Sequence, residues 1–187
     1  MKEDHVDHLI EQWHRERPDL DVSPMEVIAR ISRLCRILER RIEEEYANDG
    51  INQAQFGVLA ALRRAGPPYC LSPTDLYESL LISSGAITHR LGRLLADGYV
   101  SRIADPHDGR GALVILTPSG KRLIDRVLTK HYENERELLA PLNGDDRSAL
   151  ANLLRRLLLD LEDHVPPEPA RAATERSNHR QRVRSGR

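Results

Sequence analysis

The chain has 187 residues and a mass of 21.3 kDa, enough for one globular domain with an extended element and too small for two large domains. Its 40% hydrophobic and 30% charged residues are typical of a soluble folded protein, and 4% aromatic residues are too few for a surface that stacks single-stranded bases. The formal charge of −1 excludes an overall positive field, so any surface that binds nucleic acid must come from local clustering of basic residues.

The first part of the sequence predicts three helices. Residues 4–16 form a short amphipathic helix. Ser23 and Pro24 provide an N-cap and an N1 proline for a helix of about six turns that stops at 48–50. A third helix spans 52–65. The apolar side chains of the second helix recur at helical spacing: Val27, Ile28, Ile31, Leu34, Cys35, Leu38, Ile42 and Tyr46.

Two short helices and a β-hairpin follow. Ser72 is expected to cap a helix at 73–80, with Asp75 reaching back to complete the cap. A second helix covers 84–96 and closes at an Asp-Gly pair. Two short runs rich in β-branched or apolar residues then predict the strands of the hairpin, at 99–104 and 112–116.

Two further helices and a basic segment complete the sequence. Thr117 and Pro118 start a long helix, and a cap at 143–146 precedes the last one. The last helix carries a leucine stripe: Leu150, Leu153, Leu154, Leu157, Leu158 and Leu161. We expect this stripe to pack both on residues 119–139 and on a second subunit. Residues 168–187 hold six arginines and two glutamates and are expected to be disordered.

This order of elements predicts a mainly α fold with a small β-hairpin wing, a winged helix-turn-helix flanked by long helices. On a helical wheel of residues 84–96, His89 and Arg93 fall opposite the apolar sector, as expected of a helix that enters a major groove. Arg110 at the hairpin tip suits a minor groove. The alternative for each of these basic side chains is that it is exposed to solvent without contacting DNA. The residues assigned to a DNA-binding surface are Ser72, Thr74, Ser84, Gly85, Thr88, His89, Arg93 and Arg110.

The hairpin resembles the wing of the MarR family of bacterial transcriptional regulators. The family pattern D-x-x-D-x-R followed by a strand ending in L-T is filled by Asp105, Asp108, Arg110, Leu116 and Thr117, and the likeness extends over about 25–163. The resemblance implies a homodimer that binds a palindromic DNA operator, commonly as a repressor, and loses affinity when a small molecule binds.

The implied division of the chain has four parts. They are an N-terminal extension helix at 1–22, a helical dimerisation region at 23–50 and 118–165, a winged helix-turn-helix at 51–117, and a basic tail at 166–187.

A narrower resemblance concerns the effector. In the urate-responsive branch of the family, a tryptophan, an aspartate and two arginines form the ligand site, and the matching residues here are Trp13, Arg90 and Arg102. Gly57 stands at the position of the aspartate, which puts urate itself in doubt. The resemblance implies a small anionic, planar effector. The residues alone leave alternatives open: Trp13 also suits a core, and a protein carboxylate would also satisfy Arg90.

The sequence is also compatible with other functions. A cysteine-based redox sensor of the same fold is the main alternative, although Cys35 is expected to be buried on its apolar stripe and Cys70, in a loop, has no evident resolving partner. A dimerisation or adaptor module with a vestigial winged helix is another.

Enzyme and membrane classes are disfavoured by the motifs. HExxH, GxSxG and a glycine-rich phosphate loop are absent, and His5 with His8 is a weak metal signal, so we expect no catalysis, no metal and no cofactor. The charged first seven residues and the lack of an ~18-residue apolar run predict a cytoplasmic protein with no membrane contact.

Overall fold

The computed structural model describes residues 2–80, 84–106 and 111–164. These form two compact units, one ending at Gln53 and the other beginning at Ala54. The elements in chain order are α1 (His5–Glu16), α2 (Met25–Ala47), α3 (Gln53–Arg64), β1 (Cys70–Leu71), α4 (Pro73–Leu80), α5 (Ser84–Ala96), β2 (Val100–Ala104), β3 (Ala112–Leu116), α6 (Pro118–Leu138) and α7 (Gly144–His164). The fold is mainly helical with a small β-sheet, as predicted. The expected disorder of 168–187 concerns residues outside this description.

In the first unit, a pair of carboxylates both starts α1 and joins it to α2. Asp4 is the N-cap, and its side chain accepts hydrogen bonds from the N–H groups of Val6 and Asp7. Arg30 of α2 donates to Asp4 (2.8 Å) and to Asp7 (2.5 Å). The hydrogen bond from Arg30 lowers the pKa of Asp4 to about 2. The same two acids thus stabilise the N-terminus of α1 and join α1 to α2.

The start of α2 differs from the prediction. Ser23 makes no side-chain cap; instead its own N–H donates to the carboxylate of Asp21 (3.0 Å), and Pro24 takes the N-cap position. The helix ends as expected, because Gly50 has a φ of 74° and Ile51 N–H donates to the carbonyl of Tyr46 (3.2 Å).

The apolar stripe of α2 is largely uncovered in the single chain. Val27, Ile28 and Leu34 are each more than half exposed. The predicted burial of Cys35 is therefore wrong, since this side chain is exposed on the same helix. Core packing of Trp13 on α1 is wrong as well, because 45% of the residue is accessible to solvent.

The second unit has the core that supports the winged helix. Helices α3 to α6 and the sheet all contribute to it. Its deeply buried members include Val58, Leu59, Leu62, Leu76, Leu91, Leu94, Val100, Val114, Ile124 and Val127. Outside this core, Thr74, Asp75 and Glu78 of α4 and His89, Gly92 and Arg93 of α5 are exposed.

The sheet has three antiparallel strands in the order β1-β3-β2. The β2–β3 hairpin was predicted, but β1 was not: Cys70, expected in a loop, pairs with Ile115, and Leu71 pairs with Val114. A two-residue strand is too short to show the alternation that identifies strands in a sequence. Strand β1 fixes one edge of the hairpin to the segment that precedes α4.

The turn after α5 is attached to the first turn of α6. Gly98 has a φ of 69°, and Tyr99 N–H donates to the carbonyl of Leu94 (3.0 Å), which closes α5 with a Schellman motif. Thr117, the N-cap of α6, donates from its hydroxyl to the carbonyl of Gly98 (2.8 Å), and Ser119 does the same at 3.0 Å.

Gly120 brings the two backbones of this junction into contact. A Cβ at this position would lie 1.9 Å from the carbonyl oxygen of Tyr99. Only a residue without a side chain lets α6 approach β2 this closely.

An ion-pair network supports the other side of the same unit. Asp125 of α6 accepts hydrogen bonds from Lys121 (2.6 Å) and from Arg63 of α3 (2.6 Å), and these two bonds, in that order of strength, lower its pKa. Both cations also lie over the ring of Tyr69, at 5.0 Å for Arg63 and 5.7 Å for Lys121. The network joins α3 and α6 to the residue before β1.

Helix α7 has no buried residue. Its stripe leucines keep between 37% and 59% of their surface exposed, so residues 119–139 of the same chain do not cover the stripe as expected. None of the described helices is both long enough and apolar enough to cross a membrane.

Replacing Gly120 by alanine is expected to lower the free energy of unfolding by about 3 kcal/mol, because the new Cβ meets backbone that cannot move without shifting β2. Urea unfolding at fixed protein concentration measures this loss. Gly92→Ala is the matched control: nothing lies within 4 Å of its Cβ, and alanine in an exposed helix interior is expected to add about 0.5–1 kcal/mol. Equal curves for Gly120→Ala and the wild type would show that the close contact is wrong.

Asp125→Asn is expected to destabilise the protein most at neutral pH. The folded-state pKa of Asp125 lies below its ordinary value of 3.8, so its ionised form contributes stability above about pH 4, and this contribution is lost as pH falls through the folded pKa. The gap in unfolding free energy between wild type and variant should close in acid. Glu78→Gln, an exposed acid on α4, is the control and should show no comparable gap at pH 7. A gap independent of pH would contradict the assignment.

Candidate nucleic-acid interface

Helix α4 begins with the predicted reciprocal cap. The hydroxyl of Ser72 accepts from Asp75 N–H (3.0 Å), and the carboxylate of Asp75 accepts from Ser72 N–H (3.3 Å) and from the Ser72 hydroxyl (2.8 Å). Thr74, in the first turn, is exposed. Since the Ser72 hydroxyl proton points to Asp75, this side chain's first role is to fix the start of the helix.

Helix α5 has the orientation that the helical wheel predicts. Leu91 and Leu94 are 1% and 0% exposed and face the core, whereas His89 and Arg93 are exposed. Gly92, between them, is exposed as well. Ser84, Gly85 and Thr88 lie in the first turns of the helix, and their side chains fall outside the description. The second half of α5 therefore presents a basic, sterically open face.

Helices α4 and α5 pack on each other through the core of their unit, with Leu76 fully buried. The three residues between these helices, 81–83, lie outside the described residues. A short helix, a short connection and a second helix with an exposed basic face is the arrangement of a helix-turn-helix.

The hairpin has the register of a regular wing. Ala104 is paired with Ala112, and Asp105 N–H donates to the carbonyl of Gly111 (3.1 Å) where the strands part. The predicted contact residue Arg110 lies outside the described part of the chain, as do 107–109.

The two arginines of the predicted effector set, Arg90 and Arg102, both belong to the second unit. Arg90 is half-buried beside Leu91. Arg102 is exposed; it lies on the same face of the sheet as buried Val100, and its partner on the neighbouring strand is buried Val114. Neither guanidinium makes an ion pair with any residue that the structure describes. The protein carboxylate that was an alternative partner for Arg90 is thus not found among those residues.

The remaining members of the predicted effector set lie elsewhere. Trp13 belongs to α1 in the first unit and is exposed. Gly57, at the position of the expected aspartate, is on α3, where a Cβ would lie 3.4 Å from a methyl carbon of Leu80. No cluster of three potential metal ligands occurs among the described residues.

Sequence reasoning missed Gly120 and the Asp125 network, which hold these surfaces in place. The only signal in the sequence was a glycine in the first turn of a helix, where it lowers helix stability unless a close contact requires it.

Comparisons with known proteins agree with this geometry. A family model described as MarR family matches residues 49–111. The HTH-type transcriptional regulator PecS of Dickeya dadantii is 38% identical over 152 residues, which cover 81% of this chain and 92% of that protein. A solved structure of a mutant MarR from Escherichia coli, complexed with operator DNA, has a TM-score of 0.62 and 31% identity, covering 74% of this chain and 99% of that one.

A further solved structure concerns regulation by a small molecule. BpsR of Bordetella bronchiseptica, described by a mechanism for regulation of its DNA binding by 6-hydroxynicotinic acid, has a TM-score of 0.56 and 27% identity. The match covers 68% of this chain and 98% of BpsR.

Proposed function

The chain belongs to the MarR family of DNA-binding transcriptional regulators, in its PecS-like branch. From this premise we propose that it is a cytoplasmic repressor that an effector releases from DNA. It binds a palindromic operator as a homodimer and leaves the operator when a small anionic aromatic molecule binds. The observation that carries the proposal is the exposure of His89 and Arg93 on α5, opposite the buried Leu91 and Leu94.

Recognition is assigned to the outward face of α5. His89 and Arg93 are one turn apart, so both reach the same stretch of a major groove, and arginine pairs well with the acceptor edge of guanine. Arg110 is proposed to contact the minor groove. The remaining proposed contacts with the phosphates and the base edges are made by Ser72, Thr74, Ser84, Gly85 and Thr88.

The homodimer is proposed from the uncovered leucines of α7. A 21-residue helix without a buried residue, bearing leucines that are 37% to 59% exposed, needs a partner surface to be stable in water. A second copy supplies it by self-complementarity, with the dimerisation region at 23–50 and 118–165. Two α5 helices then meet DNA about one turn, or ~34 Å, apart, which matches a palindrome.

The effector is proposed to bind Arg90 and Arg102. Two guanidinium groups that have no carboxylate partner among the described residues suit the carboxylate or enolate of a planar ligand. BpsR is regulated by 6-hydroxynicotinic acid, a molecule of this class. Trp13, the only tryptophan, is proposed as a further ligand contact, and Gly57 in place of the aspartate makes urate a poor candidate.

Cysteine oxidation is the second candidate for the signal. The exposure of Cys35 is the observation in its favour. A redox sensor would lose DNA affinity after peroxide treatment, and the Cys35→Ser variant would keep its DNA affinity under the same treatment. The DNA affinity of an effector-released repressor would be changed neither by peroxide nor by Cys35→Ser.

Arg93→Ala is expected to weaken operator binding at least about 30-fold, because a bidentate base contact worth ~1–3 kcal/mol is lost in each of the two half-sites. An operator selected by the wild type from a random duplex pool, with affinity measured by fluorescence anisotropy, provides the test. Arg122→Ala on α6 removes the same charge from an exposed position outside the proposed surface and should change affinity less than twofold.

The oligomeric state is read from the same preparation, which should sediment as two 21.3 kDa chains. A wild-type protein that selects no duplex would reject the proposal and favour the adaptor alternative. Equal losses in the two arginine variants would show that only overall charge matters.

Arg90→Ala and Arg102→Ala are expected to abolish effector release while keeping operator binding. In the wild type, an effector coupled by ~1–3 kcal/mol lowers operator affinity roughly 5- to 150-fold. Titration with 6-hydroxynicotinate, salicylate and urate, followed by anisotropy and by the emission of the single Trp13, measures this response. Arg122→Ala again serves as the control and should respond as the wild type does. Release retained in both Arg90→Ala and Arg102→Ala would place the effector elsewhere.

A further inference from the structure

One residue of the second unit holds a backbone conformation that its type rarely adopts. Tyr69 has a φ of 62°, and among the described residues it is the only one other than glycine with a positive φ. Its N–H donates to the carbonyl of Gly66 (2.6 Å), which closes the turn after α3. Glycine would adopt this conformation without strain, so the turn alone does not explain a bulky aromatic side chain at this position.

The side chain of Tyr69 is held by two helices of its unit. Arg63 of α3 lies 5.0 Å from the centroid of the ring, and Lys121 of α6 lies 5.7 Å from it. Asp125 fixes both cations, because it accepts a hydrogen bond of 2.6 Å from each. The three charged side chains are only 34% to 38% exposed, so water screens these contacts in part. The ring therefore has a fixed place against α3 and α6.

The backbone of Tyr69 is joined to both the hairpin and the start of α4. Its carbonyl accepts a hydrogen bond from Leu116 N–H (3.1 Å) at the end of β3, and the next two residues pair with β3 as strand β1. Ser72, which caps α4, follows directly after β1. The hairpin and the first turn of α4 are thus attached to the residue whose ring α3 and α6 hold.

We propose that Tyr69 is a positioning residue for operator recognition, whose ring sets where α4 and the hairpin lie relative to α3 and α6. The inference rests on the proposed DNA-binding function, and in it Tyr69 makes no contact with DNA. Reading a sequence requires helix and wing to fit their grooves at the same time, whereas non-specific binding needs only phosphate contacts, which tolerate displacement. A looser attachment should therefore lower the affinity for the operator and leave the non-specific affinity nearly unchanged.

Two rival roles for Tyr69 make different predictions. If it served only to form the turn, glycine would replace it without loss, since glycine adopts a positive φ readily. If its hydroxyl donated to a phosphate, phenylalanine would lose affinity as glycine does. A cation–π contact needs the ring and does not need the hydroxyl, so the positioning role predicts that phenylalanine substitutes and glycine does not.

The test uses the full chain with Tyr69→Gly and with Tyr69→Phe. Fluorescence anisotropy measures the affinity for the selected operator and for a duplex of arbitrary sequence, and urea unfolding checks that both variants are folded. Tyr69→Gly should bind the operator at least about fivefold more weakly, since a factor of about two or more is lost in each of two subunits. Its affinity for the arbitrary duplex, and both affinities of Tyr69→Phe, should stay within about twofold of the wild type.

Lys121→Met provides a second variant that keeps the inference testable if Tyr69→Gly does not fold. It removes one of the two cations from the ring and should lower operator affinity about two- to fivefold, again without changing the affinity for the arbitrary duplex. Arg122→Met is the matched control, because it makes the same change at the next position, where the side chain is exposed. This control should leave the ratio of the two affinities unchanged.

Four outcomes would overturn the inference. Equal losses on both duplexes in Tyr69→Gly would show a purely structural role, and an unchanged operator affinity in that variant would show that only the turn matters. Equal losses in Tyr69→Phe and Tyr69→Gly would assign the effect to the hydroxyl. An unchanged ratio in Lys121→Met would show that the cations do not fix the ring. Failure of the proposed function is separate, because the wild type itself would then prefer no duplex over another.

Discussion

The arrangement of α5, β2 and α6 in the second unit depends on one backbone contact, that of Gly120 against the carbonyl of Tyr99. The hydroxyls of Thr117 and Ser119 hold the same turn through the carbonyl of Gly98. The end of α5, strand β2 and the long helix α6 are therefore joined within four residues on each side. A rotation of α6 at this junction moves α5 with it, since neither a side chain nor a water layer separates the two backbones.

Much of this architecture follows from local sequence signals. The reciprocal cap at Ser72, the proline after Thr117 and the outward position of His89 and Arg93 were predicted, because caps and helical period are properties of a few adjacent residues. Strand β1 and the role of Gly120 were not, because the first has two residues and the second depends on a carbonyl 21 positions away in the chain.

A second group of errors has a different cause. Cys35 was expected in a core, a core was one alternative for Trp13, and the leucines of α7 were expected to rest partly on α6. All of these residues are substantially exposed. Apolar periodicity shows that a helix face avoids water, and it gives the same signal whether the cover is the same chain or another one. In this protein much of the apolar surface of α2 and α7 is uncovered by its own chain, so the single chain is an incomplete folding unit under the proposed function.

Arg90 and Arg93 lie three residues, or about 4.5 Å along the axis, apart on a single rigid helix, α5. If Arg90 binds the effector and Arg93 binds a base pair, effector and operator each favour a different position of helix α5. Thermodynamic reciprocity then requires that DNA lower the affinity for the ligand by the factor that the ligand lowers the affinity for DNA. Promoters held tightly would be released only at higher metabolite concentrations than those held loosely, so one regulator would switch its genes in a graded order.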